Sequence, residues 1–175
     1  MIAKLPQFGK LLLIIMGLGF AGEAAAAGSQ PPATAGGKPI LTITGKIAPL
    51  EGGTIVQFDR ASFEALGLVT IETKTPWYPG PVKFEGVPLE KLMTIAGANG
   101  KTVTAVALND YSSDIPIGDF IKYHPILAIK RNGEYMPVSD KGPLFIMYPF
   151  DSNPELQSQQ FYGRAVWQVA KLVIN

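Results

Sequence analysis

Glycine and proline set the first constraint on this chain. Nineteen glycines and fifteen prolines are spread over 175 residues, so no regular element can run far before the backbone turns. Between these breaks the apolar residues fall into short runs. ILTITG at 40–45 alternates apolar and polar residues and reads as a strand, and so does 54–58. Asp59 is placed to cap a short helix, RASFEAL, that Gly67 ends. LVTIET at 68–73 is strand-like. KTPWYPGPVK at 74–83 holds three prolines and a glycine and is expected to be irregular. Pro88 fits the first position of a helix whose face is Leu89, Leu92, Met93 and Ala96, with Gly97 as its stop. Residues 102–108 make a strand with Val103, Ala105 and Ala107 on one side. Residues 109–125 read as a loop with one helical turn near 118–123. Strands at 126–130 and 135–138 flank Asn132-Gly133, a strong hairpin signal. A buried strand at 144–148, a long polar loop at 149–163 and a final strand complete the chain. The expected class is α+β, a mixed β-sheet with two or three short peripheral helices.

The N-terminus reads as an address. Lys4 and Lys10 precede an apolar stretch, LLLIIMGLGFA, and a small-residue run ends at Ala27. That is the layout of a secretory signal peptide over 1–27, cleaved near Ala27, and the apolar core is shorter than the roughly 20 residues a membrane span needs. An uncleaved anchor is the bland alternative. No arginine precedes Arg60, so a twin-arginine signal is absent and the general secretory route is implied. The expected location is the periplasm, with no stable membrane insertion after cleavage. Residues 28–39, GSQPPATAGGKP, form an expected linker, and 40–175 the folded domain.

Charge and composition exclude several functions. The net charge is +1, and cleavage removes Lys4, Lys10 and Glu23 to leave a neutral chain. Nucleic acid is not an expected partner, because binding its backbone needs a clustered basic excess. With no cysteine and one histidine, disulfides, thiolate nucleophiles, Cys-ligated metals and multi-His sites are all excluded.

Four stretches in order resemble a known family. They are FEGVPLEKL at 84–92, DYSSDIP at 110–116, NGEYMP at 132–137 and GPLFIMYP at 142–149. Together they are similar to the molybdopterin-binding domain of sulfite-oxidase-type oxidoreductases, over roughly residues 40–175. The resemblance implies a mixed β-sheet with peripheral helices and a central pocket for a molybdenum–pterin cofactor. In that family a cysteine thiolate shortly before the G-V-P-L element binds the metal. The corresponding residues 71–77 here hold no cysteine, and a threonine hydroxyl does not replace a soft thiolate. Where the family often continues G-x-P-L with arginine, this chain has Phe145. Where a lysine-rich stretch helps hold the pterin phosphate, Arg164 is the only cation between Tyr162 and Trp167. A chain threaded unfolded through the secretory channel would also arrive without a cofactor loaded in the cytoplasm.

The expectation is therefore a periplasmic accessory module with the family's fold and no cofactor or metal, engaging a small-molecule ligand or a protein partner. A molybdopterin-dependent oxidoreductase with a non-cysteine ligand set is the alternative, and a purely structural or assembly role is the third. Whether the chain is an enzyme stays open, and no catalytic residue is assigned. Trp77 and Tyr78 are candidates to stack on a ligand, against packing by the loop's own aromatics. Asn109, Asp110 and Tyr111 can hydrogen-bond a ligand, against ordinary Asx-turn chemistry. Arg164 can bind an anion in bidentate fashion, against a surface salt bridge. His124 is alone and Asp140-Lys141-Gly142 reads as an ordinary turn.

Overall fold

The computed structural model describes residues 37–48 and 55–175. The signal peptide assigned to 1–27 and residues 28–36 of the linker assigned to 28–39 lie outside the described residues. Strand β1 (Leu41–Gly45) buries Leu41 and Ile43, as its alternation requires. Strand β2 (Val56–Phe58) leads to Asp59, the N-cap of α1 (Arg60–Ala65). Its carboxylate accepts from the Ser62 N–H at 2.8 Å and the Ser62 hydroxyl at 2.6 Å. Gly67, at φ +88°, turns the chain out of that helix. Strands β3 (Val69–Thr75) and β4 (Tyr78–Pro88) follow, then α2 (Leu89–Ile95). Pro88 is the N-cap of α2 rather than its first residue, because β4 runs straight into the helix.

Strands β5 (Thr102–Ala107) and β6 (Ser112–Pro116) precede α3 (Gly118–Tyr123). Strand β7 (Ile126–Arg131) turns through Asn132 and Gly133, at φ +51° and +86°, into β8 (Glu134–Tyr135). That is the two-residue hairpin its Asn-Gly pair predicts. Strand β9 (Phe145–Met147) is buried throughout. Helix α4 (Gln159–Arg164) and strand β10 (Val169–Ile174) end the chain.

The class is α+β, with the strands sorted into two sheets rather than one. The first has the order β2-β1-β10-β5-β6, and only β1 and β10 are parallel. The second has the order β3-β4-β7-β8, with β9 also paired to β7, and is antiparallel throughout. Buried aromatics dominate the core: Phe58, Phe63, Phe84, Phe120, Phe145, Tyr148 and Phe150.

Three expectations are corrected. Residues 74–83 are not irregular; they form most of the β3–β4 hairpin, with its tip at Pro76-Trp77. The prolines are tolerated because of where they point. Pro81 and Lys83 aim their backbone nitrogens to the same side of β4, and the Lys83 N–H goes to Asn132 Oδ1 at 3.1 Å. At Pro81 β7 no longer runs alongside, since its pairing with β4 reaches only Phe84, so the ring removes no ladder hydrogen bond. Residues 112–116 are an edge strand, missed because only Ile115 of β6 is buried. The polar loop expected at 149–163 contains two 3-10 turns and α4, held down by Phe150, Leu156 and Phe161. Four α-helices thus stand among the described residues, against the two or three expected.

One glycine fixes how closely the second sheet's strands approach. A Cβ on Gly86 would lie 2.2 Å from the Leu127 carbonyl oxygen and 2.5 Å from the Ala128 Cα. Both contacts are backbone, so neither can move aside. Gly86→Ala is expected to lower stability by about 1–3 kcal/mol or more, read as a drop in the urea midpoint. A midpoint unchanged from the parent protein would mean that the β4–β7 ladder has slack the structure does not show.

Candidate functional site

The β3–β4 hairpin carries Trp77 to a meeting point of distant segments. The Trp77 ring lies 5.3 Å from Phe145 of β9, 6.0 Å from Trp167, 6.1 Å from Phe150 and 6.1 Å from Tyr162 of α4, centroid to centroid. All four contacts are edge-to-face, the geometry that aligns a ring's positive edge with its neighbour's negative face. The hairpin's own aromatic thus fills the space behind the tip. Of residues 71–77, Thr73 is the fully buried polar side chain. Its hydroxyl is already used: it accepts from the Asp151 N–H at 3.1 Å and donates to the Lys74 carbonyl at 3.3 Å. These residues do not fit a thiolate-held molybdenum, since the stretch offers only hard oxygen donors, Thr73 Oγ1 bonded on both sides and Thr75 Oγ1 buried without a hydrogen-bond partner.

Tyr78 stands beside Trp77 in a charged frame. The Arg131 guanidinium carbon lies 4.5 Å from the centre of its ring and the Lys141 Nζ lies 4.9 Å away. The Tyr78 hydroxyl donates to Asp140 Oδ1 at 3.2 Å, and Arg131 Nη1 donates to Asp140 Oδ2 at 2.7 Å. Lys141 Nζ lies 3.7 Å from Asp140 Oδ1 and 5.6 Å from the Trp167 ring centre. Burial pushes the Tyr78 phenol up, while the Arg131 hydrogen bond holds the Asp140 carboxyl below its ordinary 3.8. Two cations and one carboxylate leave this frame with a single positive charge. Arg131, Asp140 and Lys141 were not singled out for a site, because nothing local in their sequence announces the contact with Tyr78.

The remaining candidates sit elsewhere. Asn109, Asp110 and Tyr111 form the exposed turn between β5 and β6. The Tyr111 N–H donates to Asn109 Oδ1 at 3.3 Å, an Asx turn, and Asp110 takes φ +64°. The Tyr111 hydroxyl reaches the Gly163 carbonyl at 3.4 Å. Arg164 is not free for an external anion. Its Nη1 donates to Asp119 Oδ2 at 2.7 Å, and the Tyr148 hydroxyl donates to the same oxygen at 3.1 Å. The two charged side chains are only 15% and 12% exposed, so this is a largely internal ion pair and not a surface one. Burial pushes the Tyr148 phenol well above its ordinary value, so it stays a donor.

Helix α4 joins these groups. Tyr162 packs on Trp77, the Gly163 carbonyl receives Tyr111, and Arg164 reaches Asp119. His124 stands apart and exposed, with Nδ1 3.5 Å from Glu90 Oε2. Among the described residues no three His, Cys, Asp or Glu side chains converge on a metal position, and no helix is long and apolar enough to cross a membrane.

This two-sheet α+β arrangement defines a fold of the sulfite-oxidase type. It is similar to the solved structure of sulfane dehydrogenase SoxCD from Paracoccus pantotrophus, with a TM-score of 0.54 and 20% identity. The match covers 77% of this chain and 37% of that one, so this chain spans well under half of that protein's length. At this identity the likeness shows the fold alone. No protein-family model matches the chain, and no curated protein matches it either.

Two expectations follow for the charged groups. Asp119→Asn leaves Arg164 inside without its counter-charge and is expected to cost about 3 kcal/mol in urea unfolding. A cost below about 1 kcal/mol would match an exposed pair and contradict the burial. Asp140, its folded carboxyl held below 3.8, contributes stability that is fully present above that ordinary value and is lost as pH falls from there through the lower folded-state value. The gap between the parent protein and Asp140→Asn should be steady at neutral pH and close below about pH 4. A gap that persists at pH 2 would show that Asp140 acts by packing and not by charge.

Proposed function

We propose that this chain is a periplasmic binding or accessory module on a sulfite-oxidase-type fold, working without molybdopterin. The observation that carries the reading is the packing of Trp77. A half-buried aromatic ring from residues 71–77 packs behind the hairpin tip, with Phe145 as one wall. The stretch that would have to supply a metal thiolate supplies a plug instead. The buried threonine hydroxyls of that stretch, Thr73 bonded on both sides and Thr75 without a partner, are hard oxygens and do not replace a soft thiolate.

The binding face in this reading is the outer side of the same hairpin. The partly exposed ring of Trp167 presents flat apolar surface beside the net positive charge that Arg131 and Lys141 hold at the Tyr78 ring. That combination suits a small molecule or a periplasmic protein segment with an apolar or planar group next to an anionic one. Asp140 anchors Tyr78 and Arg131 in a fixed relation, so the face needs little ordering when it binds.

The test is the protein purified from its native host, in cells where another molybdoenzyme is loaded. Molybdenum is measured by mass spectrometry and pterin by fluorescence on the same sample. The expected result is trace metal and no pterin. Near-stoichiometric molybdenum and pterin would sink the reading and make the chain an oxidoreductase with an oxygen ligand set.

A further inference from the structure

Four exposed apolar side chains gather on one face. Leu108, Tyr111 and Val138 are each about half exposed, and Trp167 is 38% exposed. They come from three separate parts of the chain, and backbone bonds fix them side by side. The Gln168 N–H donates to the Lys141 carbonyl at 3.0 Å, and the Leu108 N–H donates to the Gln168 carbonyl at 2.9 Å. The Gln168 side-chain amide donates to the Val138 carbonyl at 2.7 Å. The face therefore reads in order from Lys141 and Val138, through Trp167 and Gln168, to Leu108, Asp110 and Tyr111.

Two features separate this face from scattered surface hydrophobics. First, its backbone is held in an uncommon conformation. Asp110, Lys141 and Gln168 have φ of +64°, +65° and +55°, a region that lysine and glutamine seldom adopt. The other two non-glycine cases among the described residues lie elsewhere, His124 capping α3 and Asn132 turning the β7–β8 hairpin. Second, its ends carry opposite charge. Lys141 and Arg131 outweigh Asp140 at one end, and Asp110 stands at the other without a charged partner among the described residues.

An apolar centre with a positive end and a negative end is complementary to itself. A two-fold axis running across the middle of such a face lays each end on the opposite end of the copy. We propose that this face binds a second copy of the chain, with Trp167 buried at the centre, Leu108, Tyr111 and Val138 buried to either side of it, and each Lys141 meeting the copy's Asp110. The proposal does not rest on the absence of a cofactor, and it names a second copy as the protein that engages Trp167 and Lys141 of the binding face.

The experiment is sedimentation equilibrium of the purified chain over a range of concentrations and at two salt concentrations. The expected result is a monomer–dimer equilibrium. Leu108→Glu and Val138→Glu, both at exposed positions, should each weaken it about tenfold or more by burying a carboxylate against the copy's apolar side chains. Asp110→Lys and Lys141→Glu should each weaken it, and the double variant should recover most of the loss by reversing the pair. Circular dichroism on every variant separates a lost contact from a lost fold, and Asp110→Asn, which keeps the turn chemistry, provides a milder charge removal. A protein that stays monomeric at the highest concentration overturns the proposal. So does a dimer that Leu108→Glu leaves intact, or a double variant no better than its worse parent. A protein that dimerises as expected yet carries molybdenum would overturn only the cofactor-free reading.

Discussion

The packing of Trp77 is the contact on which the rest of the functional surface depends. Its ring touches β9, the 3-10 turn at Phe150, helix α4 and the segment leading into β10. Those four pieces all come from residues 145–167, far along the chain from Trp77. Edge-to-face pairs of this kind contribute about 0.5–1.5 kcal/mol each beyond the area they bury. Four such pairs on one ring bind the second sheet to the C-terminal segment. With Trp77 seated, Trp167 is held with one side outward and Tyr78 is turned toward Arg131 and Lys141.

Charge is handled in two ways in the same region. Arg164 and Asp119 are nearly enclosed, and Tyr148 supplies a further donor to the same carboxylate. A buried pair of this kind contributes little to net stability but penalises any arrangement that separates its partners, which fixes α4 against α3. Asp140 works nearer to water. It joins a tyrosine, an arginine and a lysine into one frame that keeps a positive charge at the surface. The inner pair sets position and the outer frame sets what the surface can attract.

Much of the secondary structure was legible from local signals. The Asp59 cap, the glycine stops at Gly67 and Gly97, the Asn132-Gly133 turn and the alternation in β5 each act within a few residues, so pattern alone reveals them. The β3–β4 hairpin was not legible, because Pro81 argues against a strand until one knows that no strand lies on its nitrogen side. Strand β6 was hidden by its polar sequence, which suits an edge exposed to water on most positions. The candidate site was legible only in part. Trp77 and Tyr78 stood out as aromatics in a proline-rich stretch, but Arg131, Asp140 and Asp119 gave no signal, since each acts on a residue far away in sequence.

By itself the sequence determined the α+β class, most element positions and the absence of any thiolate ligand, because propensity, turn chemistry and side-chain inventory are local properties. Tertiary structure alone decided that the strands divide into two sheets, that Trp77 packs against the core behind its hairpin and that Arg164 is engaged with Asp119. It also decided that Lys141, Gln168 and Leu108 share one face. Each of these is a pairing between segments tens of residues apart, and a pairing is chosen by packing and charge across space, which no local pattern encodes.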